Sequence, residues 1–593
     1  MFILEVKASD MSEKKSKIVF SPPKNSTKLI SYIKKYSEQF IITAITGILF
    51  NSAIVLGPIF QGKLLDAAIS SSSMGGILKA GMQFIGVTLS FQVARLFKRY
   101  YVRDMANRMS GDMRVGIMES ILSTDLNSIE KQKVGDMMSI TVGDVDIVVE
   151  AIRKTITEIF DTGVLMIAYW VALMSYDIKI TLLATIPIPI IIALAQLMRK
   201  TVQYKSKEAR KANSKTTTHI RKIISQINIL RLYGREEAEL NRLKEKLDIQ
   251  ASKTAMATVL KNGLAPVYSA LASMGIIIVI ALGGNKVMDK SWTIGQFTAY
   301  IAMFIALATR TTTAAKLFNI QQGAKASWER VRGLMVKDST LINSSERPLK
   351  PKEMIVENFS FKYPSGDKYV INNISFSATA GMIIGITGPV GSGKSALGLA
   401  LTGMYDYEGN IYLGEEEFRD IPKSKKVATI SYIGHDPFLF SDTVENNITW
   451  GNNNPEKLER VLSIASLKTD ITKFEKGVKT KVAERGAKVS GGQRQRISLA
   501  RALYKDASIL ILDGPFSAVD IYTEGKIIEA LRENAKDKFI FIFSHRLEAF
   551  KYTDKVIVLD KGKIVERGTH EELSKNQGIY NKIIDSQKFM GVN

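Results

Sequence analysis

Cysteine is absent from this chain of 593 residues, which excludes disulfides, thiolate metal sites and a cysteine nucleophile. Only four histidines are present, too few for a histidine-based metal cluster enzyme. Acidic charge is also short: 58 Asp and Glu stand against 81 Lys and Arg, leaving a formal charge of +23. The stretch up to Lys28 has no apolar core bounded by a cleavage site. It reads as a polar tail, not a secretory signal, and the first membrane span is expected to direct insertion. Neither internal repeats nor low-complexity segments stand out. A chain of this length exceeds what one core organises, so two or more domains are expected.

A basic chain that is 46% hydrophobic suits either nucleic acid or a membrane with positive loops on its inner side. The apolar residues favour the membrane, because they gather in long runs in the first half. Residues 29–40 alternate Ile, Tyr and Lys as an amphipathic helix lying on the inner surface would. Six apolar segments follow, at about 41–64, 76–97, 156–174, 178–198, 264–282 and 294–317, each near the ~20 residues that a bilayer requires. Pro187 and Pro189 should kink the fourth. Short connections near 66–74, 176–177 and 283–292 hold few Lys or Arg, whereas 98–154 and 199–262 are long and basic. The positive-inside rule places the long connections and both termini in the cytoplasm of a multi-pass plasma-membrane protein. They read as continuous helices protruding below the membrane, with turns at 113–134 and 219–234. Topology therefore accounts for most of the excess positive charge, and no nucleic-acid partner is needed.

Past Pro351 the pattern changes to short β-rich runs alternating with helices, an α/β domain. The expected organisation is a polar tail (1–28), a helical six-span transmembrane domain (29–320), a polar linker (321–350) and an α/β P-loop nucleotide-binding domain (351–593). Strands are expected at 354–362, 374–377, 382–387, 509–512, 539–543 and 555–559.

Gly388-Pro-Val-Gly391-Ser392-Gly393-Lys394-Ser395 carries the clearest chemistry. It has the spacing of a phosphate-binding loop, between a short apolar run and the start of a helix. Glycines let backbone N–H groups wrap the phosphates without Cβ clashes. Lys394 would reach the β- and γ-phosphates, and the Ser395 hydroxyl would ligate Mg²⁺. Downstream, Ala507–Leu512 is an apolar strand ending in Asp513, where a P-loop fold places its second Mg²⁺ group. Ser490-Gly491-Gly492-Gln493-Arg494-Gln495-Arg496 opens a further helix, a second anion site made of serine and bare backbone.

These motifs, behind six spans, make nearly the whole chain resemble a half-size ATP-binding cassette exporter. The resemblance implies ATP and Mg²⁺ as cofactors, with contacts from Gly388 through Ala396 and from Asp513, and Tyr363 stacked on adenine. Without it, Tyr363 reads as a strand-face aromatic. Ser490, Gly491, Gly492 and Gln493 match the family signature, with Val489 for the commoner Leu. That motif contacts ATP held by the opposite subunit, so the sites form only in a dimer. Ser517-Ala-Val-Asp520 matches the loop linking the two sites, and His545 matches the switch histidine that touches the γ-phosphate. Residues 130–145 and 224–236 resemble the cytoplasmic coupling regions of the membrane domain.

Two departures matter. After Asp513 the family usually places a glutamate that polarises the attacking water, and here Gly514 stands there. A group of this kind is worth ~10²–10⁴ in rate. In Tyr432-Ile-Gly-His435-Asp-Pro-Phe, His435 replaces the glutamine that helps position Mg²⁺; an imidazole could still ligate, with different reach. Both losses fall on the site built on this chain's own loop, while the signature serving a partner is nearly intact. The economical reading is the degenerate subunit of a heterodimeric exporter of drugs, peptides or lipids. It binds ATP at a poorly hydrolytic site and completes the competent site of a different partner. A homodimer would lack the glutamate twice. An importer with an exporter-type membrane domain and a non-transporting ATP sensor stay open. Candidate cavity residues on the spans are Gln296, Tyr300 and Arg310; Arg310 either attracts anionic or amphipathic substrate or snorkels to the inner interface. Abundant Lys and Ile fit a bacterium of low-GC genome.

Overall fold

The computed structural model describes residues 19–70, 74–130, 132–335, 346–483, 486 and 488–589. Contacts divide the chain into two compact units. The first holds the chain up to Ser120 with Gly135–Lys337, and the second holds Ile121–Val134 with the chain from Asp338.

The first unit is helical. Among the described residues, five runs are long and apolar enough to cross a membrane: Ser37–Ile69, Met74–Ser123, Val134–Tyr176, Ile178–Met198 and Ser269–Met288. The count is thus five, not the expected six, because the sixth apolar run is described as such only over Ile294–Arg310. Its helix continues to Leu334, through the first part of the stretch expected as a linker. Val331 there is fully buried, and Arg330 donates to Asp144 Oδ2 at 2.7 Å, so these turns pack instead of forming a loose connector. The helix expected at 29–40 ends at Lys35, and a new one begins at Ser37.

Proline explains two breaks. The first span stops at Ala53 and resumes at Leu56, since Pro58 offers no N–H to the Ile54 carbonyl and crowds it; Gly57 N takes that carbonyl instead at 3.1 Å. The expected kink in the fourth span is a break at Ile186 before Pro187. Met74–Ser123 runs for 50 residues, about 75 Å at helical rise, far beyond the ~30 Å hydrocarbon layer. Pro187–Ser225 and Glu236–Asn262 pack along each other. Between them Ile227–Leu232 forms a short helix, whose Ile227, Ile229 and Leu232 are exposed.

Buried polar groups pin this unit. The Asp112 side chain is fully buried and accepts from Lys35 Nζ (2.7 Å), Tyr36 Oη (2.8 Å) and Ser21 N (3.0 Å). Asp112→Ala is expected to cost about 3 kcal/mol, the low end for a broken buried pair because Lys35 keeps some access to water. A lowered melting temperature of the detergent-solubilised protein checks this.

The structure places the cavity candidates as follows. Tyr300 is fully buried, shares a 2.8 Å hydrogen bond with the Thr181 hydroxyl, and lies 5.2 Å from the Trp292 ring; it is a packing residue. The Gln296 side chain accepts from Thr293 N at 2.9 Å, closing a capping box at the helix start. Arg310 is half-buried at the end of the described apolar run.

The second unit is built on two sheets. The strands are β1 (Glu353–Phe361), β2 (Ile371–Thr379), β3 (Ile383–Thr387), β4 (Glu408–Leu413), β5 (Glu416–Glu417), β6 (Ile430–Ile433), β7 (Ile509–Asp513), β8 (Phe539–Phe543), β9 (Lys555–Asp560) and β10 (Lys563–Gly568). One sheet runs β10-β9-β3-β8-β7-β6, parallel except for β10 against β9. The other is antiparallel, β2-β1-β4-β5. Every residue of β3, β7 and β8 is buried, as strands covered on both faces require. The segment Ile121–Val134 belongs to this unit, ahead of the 130–145 coupling stretch expected from sequence. Its helix Leu126–Glu130 is tied down by Asn127 Nδ2 donating to Asp406 Oδ2 at 2.7 Å and by the Tyr405 hydroxyl donating to Glu130. A cleft of about 1540 Å³ lined by Leu126, Tyr405, Phe438 and Trp450 flanks it.

Candidate nucleotide site

The parallel sheet delivers the phosphate loop. β3 ends at Thr387, and Gly388 turns the chain with φ +148°; a Cβ there would lie 1.9 Å from the Leu559 carbonyl oxygen, so only glycine passes. The helix that follows is Lys394–Ala400. Lys394 Nζ donates to the carbonyls of Gly388 and Pro389 (both 2.9 Å) and to Ser392 Oγ (3.3 Å). Burial pulls its pKa to about 8, with Asp513 acting in the opposite direction. A buried cation of this kind gains when an anion arrives. Ala396, next along the helix, is buried.

Asp513 ends β7, is buried and accepts from the Ser395 hydroxyl. Burial raises its pKa, while the Ser395 hydrogen bond and the charges of His435 and Lys394 lower it. His545 follows β8. Burial lowers its pKa, and Lys394 and His435 push the same way. The structure therefore gathers Lys394, Ser395, Asp513, His435 and His545 at the carboxyl ends of the parallel strands, where open α/β sheets bind ligands.

Gly514 sits beside them. Its N donates to Phe543 O at 2.8 Å, and its carbonyl accepts from Gln495 Nε2 at 3.2 Å and from Ser517 N at 3.3 Å. Its φ is +61°, and an added Cβ would lie 2.4 Å from His435 Nδ1. Tyr363 is half-buried, with its ring edge-on to Phe361 at 5.2 Å. Burial, then Asp513 and Glu130, raises its pKa.

Ser490 caps Gly491–Tyr504: its Oγ accepts from Gln493 N at 3.2 Å, and the Gln493 side chain accepts from Ser490 N at 3.0 Å. Asp520 caps Ile521–Glu533 through Thr523 N at 2.9 Å, and those hydrogen bonds lower its pKa.

The roles of three residues escaped the sequence reading. Gln495 is buried and, besides Gly514, binds the Ser517 hydroxyl and Ala518 N (2.8 Å). Arg546 donates to the carbonyls of Phe516 (3.1 Å), Val519 (2.7 Å) and Ser517 (3.2 Å). Glu524, 2% exposed, accepts from Arg546 at 3.4 Å. Together they tie the segment after Gly514 to the residue after His545. The one signal in the sequence was a glutamine on the apolar face of the signature helix.

Burial pushes the Glu524 pKa up to about 7, with Arg546 acting against it. The folded protein then holds a proton that the unfolded chain, titrating near ~4.3, releases. Glu524 therefore lowers stability as pH rises from about 4.3 to 7. Glu524→Gln is expected to melt higher than the wild type at pH 8, with the difference vanishing near pH 4.5. Melting curves at the two pH values check the sign.

Comparison with known proteins agrees with this architecture. Residues 40–310 match the family described as ABC transporter transmembrane region, and residues 371–517 match that described as ABC transporter. The chain is 29% identical over 578 residues to the probable multidrug resistance ABC transporter ATP-binding/permease protein YheI of Bacillus subtilis, covering 95% of this chain and 97% of that one. It is 30% identical over 461 residues to the multidrug resistance-like ATP-binding protein MdlA of Escherichia coli, covering 76% and 77%. A bacterial Atm1-family ABC exporter solved with ATP bound superposes with a TM-score of 0.77 at 18% identity, over 94% of this chain and 99% of that one; the likeness is one of fold.

Proposed function

This chain belongs to the ABC transporter family, with an exporter-type membrane region and an ATPase domain on one polypeptide, and from that premise we propose that its own nucleotide site holds MgATP and cleaves it slowly. The observation that carries the proposal is Gly514: behind an otherwise complete phosphate loop, the position after Asp513 has no side chain to take a proton or orient water.

The residues present fit the cofactor. Lys394 is a buried ammonium that would neutralise the β- and γ-phosphates, and Ser395 with Asp513, already hydrogen-bonded, would hold Mg²⁺. Tyr363 would turn its ring to adenine, His545 would sense the γ-phosphate, and His435 would stand near the metal. Bound MgATP supplies the γ-phosphoryl bond whose cleavage drives transport.

Ser490, Gly491, Gly492, Gln493 and Asp520 serve a second subunit in this proposal, one that carries the missing glutamate. What favours a different partner over a second copy is that two copies would have no general base at either site. The proposal extends to six spans, the last beginning at Ile294, and to cytoplasmic termini. The multidrug names of the relatives suggest amphipathic organic substrates, with Arg310 at the inner end of their path.

Purifying the tagged chain from its native membrane tests the assembly, since the retained subunit should be a second half-transporter with Glu after its strand-ending Asp. If the chain alone, as a homodimer, releases phosphate at about 1 s⁻¹ or faster, an ordinary enzyme rate, the slow-site proposal is wrong. Uptake of a Hoechst dye into inverted vesicles tests the export direction.

A further inference from the structure

His435 and Gly514 are far apart in sequence, and the fold presses them together. Three hydrogen bonds to its backbone hold Gly514 in the left-handed region: its N donates to Phe543 O, and its carbonyl accepts from the Gln495 side chain and from Ser517 N. In that conformation an added Cβ would point at the imidazole. It would lie 2.4 Å from Nδ1, 3.3 Å from Cε1 and 3.5 Å from Cγ of His435. The first distance is well inside any ordinary contact. The ring thus occupies the space where a side chain at position 514 would begin, close enough to Asp513 and His545 to act on both charges.

We infer that His435 and Gly514 form one interdependent pair, in which the imidazole stands in place of the residue-514 side chain and a carboxylate at 514 becomes usable only when His435 is removed. The inference rests on the slow-site proposal and joins the two departures in one contact. A glutamate introduced at 514 alone meets the ring. The outer side of His435 is exposed, so the ring could swing to solvent, but only by giving up the place it fills against Gly514. The new carboxylate would also stand beside the Asp513 carboxylate, a like-charge pair. Left-handed backbone adds strain for any residue but glycine. With glutamine at 435, the space clears and an amide donor replaces the imidazole. His435 is thus a positioning residue that decides what position 514 can carry.

The test uses the full chain with its partner in membranes and reads hydrolysis at each site separately, as vanadate-dependent photolabelling of each subunit by azido-ATP. Neither Gly514→Glu nor His435→Gln should raise labelling of this chain by more than about threefold, whereas the double variant should raise it about tenfold or more, the range of coupling expected for residues in contact. Gly514→Glu alone matching the double variant, or a double variant no better than the singles, overturns the inference. Wild-type labelling of this chain as strong as the partner's would instead overturn the slow-site proposal. A smaller probe covers the case in which the glutamate variants fold poorly. Gly514→Ala should weaken TNP-ATP binding, and His435→Ala in the same chain should restore it. An alanine at 514 that leaves binding untouched shows that the ring does not occupy that space, and overturns the inference as well.

Discussion

Replacing Lys394 with alanine is expected to weaken MgATP binding to this chain by about 10²–10⁴-fold. The lysine would make two charge-assisted hydrogen bonds to phosphate, each worth ~1.5–3 kcal/mol, and every ~1.4 kcal/mol is a factor of ten. Loss of fold is not the route. The ammonium is buried among carbonyls, and its pKa is pulled to about 8, below the ~10.4 of a free lysine. For a base so shifted, the unfolded chain binds more protons between those values, so stability rises with pH across that window. At pH 7 the buried charge is therefore carried at a cost, and Lys394→Ala should melt at or above the wild-type temperature. TNP-ATP titration and melting curves with and without MgATP check both statements. Unchanged affinity would remove the phosphate loop from the nucleotide site.

The second large effect lies at the signature. Gly492→Asp is expected to lower phosphate release by the assembled transporter about 10²-fold or more, on the scale of losing one preorganised donor to an anion. Binding of TNP-ATP to this chain's own loop should stay within a few-fold. Two causes add. A Cβ at 492 would lie 2.6 Å from the Ala518 carbonyl oxygen, displacing the segment that Gln495 and Arg546 hold. The new carboxylate would also face whatever phosphate the capped helix start receives. A carboxylate in the first helical turn favours the helix itself, so the helix should persist. If turnover and own-site binding fall together, the motif serves this chain's own site and the two-subunit arrangement fails.

How much of this was legible in the sequence depended on how local each feature is. The phosphate loop, Asp513 and the capped signature helix are made by consecutive residues, so spacing alone revealed them. Strands β3, β7, β8 and β9 were visible as unbroken apolar runs. β4 and β10 were not, because polar and charged positions such as Glu408, Asn410, Lys563 and Glu566 break the apolar pattern. The first span's break was missed although Pro58 was in view, since an apolar run says nothing about a carbonyl. Polarity on a span makes Tyr300 and Gln296 cavity candidates without revealing which neighbour receives each; the structure gives them Thr181 and Thr293.

Order along the chain was enough to establish a membrane protein with a nucleotide-binding cassette, and to show that the acid after Asp513 is missing. It left Gly514 and His435 as two separate losses. Only the tertiary structure made them one feature, because β7 pairs with β6 and β8, which sets the end of β7 against the residues that follow β6. That contact is a matter of distance between backbones, and no spacing within either motif records it.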